Sequence, residues 1–501
     1  MELVLCSHEG EASYVATGYS KASRELVAIL TTGSPGVTNG MSGIASANKD
    51  SVPLLHISGR TPESISGYGV QHEENTIDRS FESDELLASL TKYSVKVTDI
   101  NMAAEQFIKC CNIALSGRYG SVHISIPVDI QSAQLPYVPQ NYYHEKCHVE
   151  SYKPPMMTKP LLIIGWGCWQ AECVEQVYEL AKKVKAPVLV TSKAYCCAWS
   201  ANDYYLGKLG YGYNAHIEEF LLEYRAEQVL IFGSSMGLKD FSHGFRELLE
   251  QAECYLYSVD FEDVMHRFPK GTWIKIKDMG RMLGEWLDEI SSMTLEIDLI
   301  ERIKDNRETQ KKYFNNKIAK TDIMAQAINK LNDICDDTCV VTADAGNHLL
   351  NVAALYEPPK IGSLYFDVGI RAMGNGICAT VGMAMFNKQK YYIAVTGDGC
   401  MLMNGNVMYL AKKHNLPILF LVFNNHSLGR VRVGQMAMKG FVESGLGGVD
   451  FMLYGKAMGL ETYRVYTVEE YEKVLEEILL RKETALLEFM CDQDEIPVLL
   501  K

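Results

Sequence analysis

The sequence predicts an α/β protein built from three doubly wound parallel-sheet domains. Short apolar runs of strand length alternate with longer amphipathic stretches along the whole chain, the pattern left by parallel strands joined through crossover helices. At 501 residues the chain exceeds what one hydrophobic core usually serves and divides naturally into several domains. The sharpest strand candidates also end in glycine, acid or amide residues, the places where open α/β sheets hold ligands.

The first block spans residues 1–140. Residues 3–7 are expected as a strand, 11–23 as a helix carrying Ala12, Ala16 and Gly18, and 26–32 as the next strand. Gly33-Ser34-Pro35-Gly36 is a turn signal, and residues 52–58 and 121–126 are further buried strands. Residues 141–158, rich in Tyr, His and Pro without periodicity, read as a linker. The middle block, 159–300, offers strands at 161–164, 187–191, 228–233 and 254–260 and a helix at 171–183. Residues 301–320 are charged and helical, expected as a solvated connecting segment. The third block, 321–501, has strands at 338–342, 391–396 and 418–423, with a helix at 404–414.

Composition removes some function classes. A net charge of -14 without a basic stripe argues against nucleic acid. No segment approaches the roughly 20 apolar residues of a membrane span, and the N-terminus lacks the basic start and long apolar run of a signal peptide. The expectation is a soluble cytoplasmic protein with no membrane partner. The 14 cysteines form no CxxC and no zinc-type spacing, so they are expected as reduced, mostly buried thiols.

The chemistry concentrates in the third block. Gly397-Asp398-Gly399 closes one expected strand and Asn424-Asn425 closes the next, with one helix between them. A right-handed crossover puts both strand ends on the same sheet edge, so Asp398 and Asn425 are expected to converge. One carboxylate plus one amide oxygen is a poor cage for calcium. It suits Mg²⁺, which keeps waters and takes its other ligands from phosphate oxygens. Gly397 and Gly399 let the backbone approach a diphosphate and donate N–H groups.

This pair of motifs resembles the thiamine-diphosphate (ThDP) binding motif, and the likeness extends along the chain. Asn424-Asn425-His426-Ser427-Leu428-Gly429-Arg430-Val431 is similar to the segment that follows the motif in acetohydroxyacid (acetolactate) synthases. Gly369-Ile370-Arg371-Ala372-Met373-Gly374-Asn375-Gly376 resembles the loop before it, and Asp344-Ala345-Gly346-Asn347-His348 the family's DxGxH turn. The resemblance implies a pyrimidine-binding first domain, a middle domain and a diphosphate-binding third domain. It implies Mg²⁺ held by Asp398, Asn425 and the Ser427 carbonyl, and cofactor contacts from Gly346, Asn347, His348, Gly397, Gly399 and Asn425. Met373 falls where the family props the cofactor into a bent conformation, a form of proximity catalysis.

The first block matches as well. His8-Glu9, followed at the family's distance by Gly18-Tyr19, makes Glu9 rather than Glu11 the match for the glutamate that relays a proton to the cofactor's pyrimidine ring. Thr32-Gly33-Ser34-Pro35-Gly36-Val37-Thr38-Asn39 is similar to a family cofactor loop, with Gly and Ser transposed, and implies cofactor roles for Gly36 and Asn39. Gln71 matches a glutamine on the substrate side, and Lys92 a family lysine. In the family the glutamate and the diphosphate site come from different subunits, which implies a homodimer or tetramer.

Four departures accompany the match. The family carries a further helix, strand and Gly-rich loop before the glutamate, so the first domain is expected to be shortened. Gly434 stands where the synthases have an aromatic residue, and Val70 where they have phenylalanine. The middle block has only Gly165-Trp166-Gly167, and Gly233-Ser234-Ser235-Met236-Gly237 lacks an arginine found in FAD-binding relatives, so FAD is not expected. The implied activity is decarboxylation of a small 2-oxo acid with carboligation, as in acetolactate synthase. The alternatives are a simple 2-oxoacid decarboxylase, another ThDP carboligase or lyase, or a catalytically impaired homologue that binds cofactor or a partner.

Overall fold

Alternating strands and helices build three all-parallel sheets. The structure, a computed structural model, describes residues 3–77, 79–137, 153–240, 243–262, 264–291, 298–440 and 443–501. The first sheet holds β1 (Val27–Thr31), β2 (Leu54–Arg60), β3 (Tyr93–Lys96) and β4 (Ser121–Pro127) in the order β1-β2-β4-β3. The second holds β5 (Pro160–Ile164), β6 (Val188–Val190), β7 (Tyr205–Lys208), β8 (Gln228–Phe232), β9 (Glu253–Ser258) and β10 (Thr272–Lys275) in the order β10-β9-β8-β5-β6-β7. The third holds β11 (Cys339–Ala343), β12 (Leu364–Phe366), β13 (Tyr391–Gly397), β14 (Ile418–Asn424), β15 (Glu461–Val465) and β16 (Ala485–Met490) in the order β12-β11-β13-β14-β16-β15. The central strands β13 and β14 are buried along their whole length, as expected where helices cover both faces.

Several local expectations change. Residues 3–7 form no strand; Leu3 and Leu5 lie 82% and 77% exposed, and no strand among the described residues pairs with them. The helix expected from 11 starts at Glu9, because the His8 side chain caps it by accepting the Gly10 N–H at 3.0 Å. The helix expected over 404–414 is two, Asp398–Asn404 and Val407–Lys413. The helix expected over 171–183 is Val174–Val184, preceded by the short Trp166–Gln170. The helix Leu299–Lys317 is not a bare connector: Leu299 and Ile303 join the middle-domain core, and Gln310 donates to the Leu206 carbonyl at 3.0 Å. The expected linker, 141–158, falls largely outside the described residues. The described cysteines are all free, and among the described residues no helix is long and apolar enough to cross a membrane.

The domains meet through close packing and buried charge. Helix Glu9–Ser23 of the first domain crosses helix Asn375–Phe386 of the third at two glycines. A Cβ on Gly18 would strike the Ala379 carbonyl, and one on Gly382 would strike the Val15 carbonyl and stand 2.6 Å from the Tyr19 nitrogen. Where all three domains converge, Lys21 pairs with Asp50 at 2.6 Å, Lys193 of the middle domain donates to the Ser51 hydroxyl at 3.2 Å, and Ser46 donates to Asp367 of the third at 2.9 Å.

The first sheet carries its own acid sensitivity. His56 on β2 and His123 on β4 are register partners, with ring centroids 4.9 Å apart. Both are 0% exposed and bonded to Thr31, Ser58 and Ser94 hydroxyls. Burial pushes His56 down to about 3 and His123 well below the usual histidine range. The unfolded chain takes up protons near pH 6.5 while the folded chain refuses them. The contribution of the two histidines is therefore full above pH 6.5 and falls as pH drops toward about 3, by about 1.4 kcal/mol per pH unit for each histidine. Thermal unfolding at pH 7 and pH 5 checks this: the wild type should lose far more stability than a His56→Asn/His123→Gln variant, and equal pH slopes would contradict it.

Candidate active site

The strand order locates the candidate site. In the third sheet the chain leaves β11 toward β12 on one side, and leaves β13 toward β14 on the other. The crevice beyond the carboxyl ends of β11 and β13 is thus the topological switch point, where such sheets bind ligands. β11 delivers Asp344 to His348 to this edge, β13 delivers Gly397-Asp398-Gly399, and β14 delivers Asn424-Asn425.

Asp398 and Asn425 do converge. The Ser427 N–H donates to Asp398 Oδ2 at 3.1 Å and to Asn425 Oδ1 at 3.2 Å, so both side chains address one point. Asp398 also accepts the Gly399 N–H at 2.8 Å. Burial pushes its carboxyl up to about 6, against the pull of these donors; a cation alongside would reverse that shift. Asn424 serves the scaffold instead: its amide donates to the buried Glu488 at 2.6 Å and its oxygen accepts the His426 N–H at 3.0 Å. Ser427 is pinned by its hydroxyl to the Ser444 carbonyl at 3.1 Å, and its own carbonyl accepts the Gly429 N–H at 2.8 Å.

The walls of this crevice hold unsatisfied polar groups. Both amide atoms of Asn347 and Nε2 of His348 are buried without a hydrogen-bond partner, although the residues are only 5% and 4% exposed. Native buried polar groups are nearly always paired, so these atoms are available to the acceptors and donors of a ligand. Burial pushes His348 down to about 4, leaving a neutral ring. A Cβ on Gly429 would stand 2.9 Å from both the Asn347 and Asn425 amide nitrogens, and one on Gly397 would stand 3.2 Å from the His348 ring. The two glycines thus leave a cradle. Gly346 turns the chain beneath His348, where a side chain would strike the ring.

Met373 packs against the Gly-Asp-Gly turn. A Cβ on Gly399 would lie 2.8 Å from the Met373 terminal methyl, with Leu428 at 2.9 Å and Leu446 at 3.3 Å. The loop bearing Met373 is held by Asp344, the acid that opens the DxGxH turn. Its carboxylate accepts the N–H groups of Gly374 at 3.1 Å, Ala345 at 2.8 Å and Ile377 at 3.3 Å. Its signal in the sequence is a lone acid at a strand end, too common to single out. Chemically, a carboxylate and an amide aimed at one point, ringed by unpaired amide and imidazole groups, form a donor set for a hard cation carrying phosphate oxygens.

The first-domain residues form a separate group. Glu9, half-buried, accepts the Asn39 amide at 3.1 Å, and that hydrogen bond is the main influence holding its carboxyl below the usual range. Glu11 is 0% exposed and accepts the Asn406 amide at 2.6 Å, tying the first domain to the third. Gly36 packs against the Thr31 side chain within its own domain, and Gln71 is exposed on the loop after β2. No hydrogen bond or ion pair among the described residues joins Glu9, Asn39 or Gln71 to the third-domain crevice. Lys92 belongs to neither group: its ammonium caps a helix end by donating to the Ile113 and Ser116 carbonyls, each at 2.6 Å. A cleft of about 2120 Å³ lies between the first and middle domains and includes Lys193, Ser234 and Arg267 in its lining.

Three family models match the chain in order. The thiamine pyrophosphate enzyme N-terminal TPP binding domain matches residues 1–80, the central domain 157–263, and the C-terminal TPP binding domain 344–489. Curated relatives align along nearly the whole length. The probable acetolactate synthase large subunit of Methanocaldococcus jannaschii is 24% identical over 520 residues, covering 98% of this chain and 86% of its own. The acetolactate synthase isozyme 1 large subunit of Escherichia coli is 26% identical over 517 residues, covering 98% and 87%. The isozyme 2 large subunit of the same organism is 24% identical over 507 residues, covering 99% and 89%. With the switch-point crevice and its paired motifs, these matches make the chain a member of the thiamine pyrophosphate enzyme family, a ThDP-dependent enzyme of the acetolactate synthase large-subunit type.

Proposed function

We propose that this enzyme binds Mg²⁺ and ThDP at the third-domain crevice, decarboxylates a small 2-oxo acid and joins the product to a second carbonyl compound, as acetolactate synthases do. The observation that carries the proposal is the convergence of Asp398 and Asn425 on the Ser427 N–H beside the unpartnered Asn347 amide. Asp398, the Asn425 oxygen and the Ser427 carbonyl would hold the metal. Asn347, His348, Gly397 and Gly399 would receive the diphosphate, and the orphaned atoms fit that use. ThDP supplies an electron sink for carbanion chemistry at a carbonyl carbon. Met373 sets the shape of the pocket floor, Glu9 moves a proton on the pyrimidine side, and Gln71 faces the substrate.

Because Glu9 and Asp398 belong to separate groups within the chain, we further propose a homodimer or tetramer in which one subunit's Glu9 faces another's crevice. Apolar side chains exposed beside the Gly-Asp-Gly motif, Leu402 at 43%, Met403 at 58% and Tyr409 at 53%, support that pairing. A second reading, simple decarboxylation, has one observation in its favour: Gly434 leaves open space where the synthases carry an aromatic residue. Product analysis across 2-oxo acids with ThDP and Mg²⁺ tests both. Acetolactate from pyruvate is the expected result. Acetaldehyde alone would select the decarboxylase, and no turnover with retained ThDP binding would leave a cofactor-binding homologue.

A further inference from the structure

Glu74 lies just beyond Gln71 in the same loop, and its side chain is 0% exposed. One carboxylate oxygen accepts the Ser34 N–H. The other faces the Arg60 guanidinium at 3.5 Å. Arg60, at the end of β2 with its side chain 2% exposed, also donates to the Glu74 carbonyl and to Glu82, and has Glu63 at 3.7 Å and Asp84 at 3.8 Å. The guanidinium thereby compensates a buried charge that would otherwise be costly. It also gathers the whole loop after β2 around one point.

The other end of the Glu74 bridge is the start of helix Pro35–Lys49. Ser34, its flanking residue, has a φ of 50° and offers no side-chain cap. Glu74, from a distant loop, accepts the N–H of Ser34 itself and so sets negative charge beside the helix N-terminus, where the dipole favours it. Gly33 makes the approach possible: a Cβ there would stand 2.6 Å from the Gly59 carbonyl and 3.0 Å from the Glu74 carboxylate. That requirement gives the transposed Gly-Ser order a physical reason. On the second turn of the same helix, Asn39 donates its amide to Glu9 at 3.1 Å.

We infer that Glu74 is a positioning residue for the first-domain half of the site, fixing the Gln71 loop to helix Pro35–Lys49 and so setting where Asn39 holds the Glu9 carboxylate. The inference rests on the reading of Glu9 as proton relay. A misplacement of about 1 Å at such a relay costs about a hundredfold in rate, so the reach of Glu74 matters more than its charge alone.

Two variants separate reach from charge in the full-length enzyme. Glu74→Asp keeps the ion pair with Arg60 but withdraws the acceptor from Ser34. Glu74→Gln keeps the acceptor and removes the charge. The readout is the hydrogen–deuterium exchange rate at the thiazolium carbon of bound ThDP, alongside ThDP affinity by calorimetry with Mg²⁺. Glu74→Asp should slow exchange roughly tenfold or more at unchanged ThDP affinity, with Glu74→Gln nearer the wild type. Exchange at the wild-type rate in Glu74→Asp, or a slower rate in Glu74→Gln than in Glu74→Asp, would overturn the inference. Glu9→Gln is the control: if it leaves exchange unaltered, the reading of Glu9 fails first; if it slows exchange while Glu74→Asp does not, only the positioning role falls.

Discussion

Asp398→Ala is expected to abolish magnesium-dependent binding of ThDP. The carboxylate is the sole charged group among the proposed metal ligands, since Asn425 and the Ser427 carbonyl contribute neutral oxygens. Mg²⁺ gives up hydration reluctantly and needs that charge to stay. The expected loss is at least about a hundredfold in ThDP affinity, about 2.7 kcal/mol, together with loss of any response to added Mg²⁺. The apoenzyme should tolerate the change, because burial already disfavours the ionised carboxylate and pushes it up to about 6. Calorimetric titration of ThDP with and without Mg²⁺, paired with a melting curve of the apoprotein, checks both halves. Retained magnesium-dependent affinity would remove Asp398 from the site.

Gly382→Ala should destabilise the protein by about 3 kcal/mol, the upper end for overpacking. Local propensity argues the other way, since alanine gains about 1 kcal/mol over glycine inside a helix. The neighbours decide the sign. The new methyl would meet the Val15 carbonyl and the Tyr19 nitrogen, backbone atoms that cannot turn aside as a side chain would. Gly434→Ala is the matching control: it too lies within a helix, Gly429–Met438, but nothing stands within 4 Å of the new methyl. That change should leave stability equal or slightly raised. Urea unfolding of both variants measures the difference, and a Gly382→Ala protein as stable as the wild type would mean that the helices do not cross this closely.

The layered architecture and the metal-site candidates were legible because each rests on a pattern inside a short stretch. The buried runs at β13 and β14 are continuous, and each ends at its motif. What escaped depends on partners distant in sequence. β16 is buried yet was not foreseen, since Glu488 interrupts its apolar run; that carboxylate is answered by Asn424 and by Arg464, each at 2.6 Å. The edge strands β7, β10, β12 and β15 have three to five residues each, too few for periodicity to register. Residues 3–7 have strand-like composition, but a strand requires a neighbour as well as a pattern. Glu74 and Asp344 could not be singled out for the same reason: their importance lies in which N–H groups the fold brings to them.

The ionic junction at Lys21, Asp50, Lys193 and Asp367 bears on how far this architecture is modular. The chain reads as three similar blocks, which invites treating them as interchangeable parts. Excising the first domain would leave Asp367 without the Ser46 hydroxyl and Lys193 without its Lys49 and Ser51 acceptors, and an unpaired interior charge is among the most destabilising defects a protein can carry. A first domain grafted from a relative would have to bring the Lys21–Asp50 pair together with the hydroxyls that meet Asp367 and Lys193. The first domain is thereby keyed to both neighbours, and exchanging it alone is harder than the repeated layering implies.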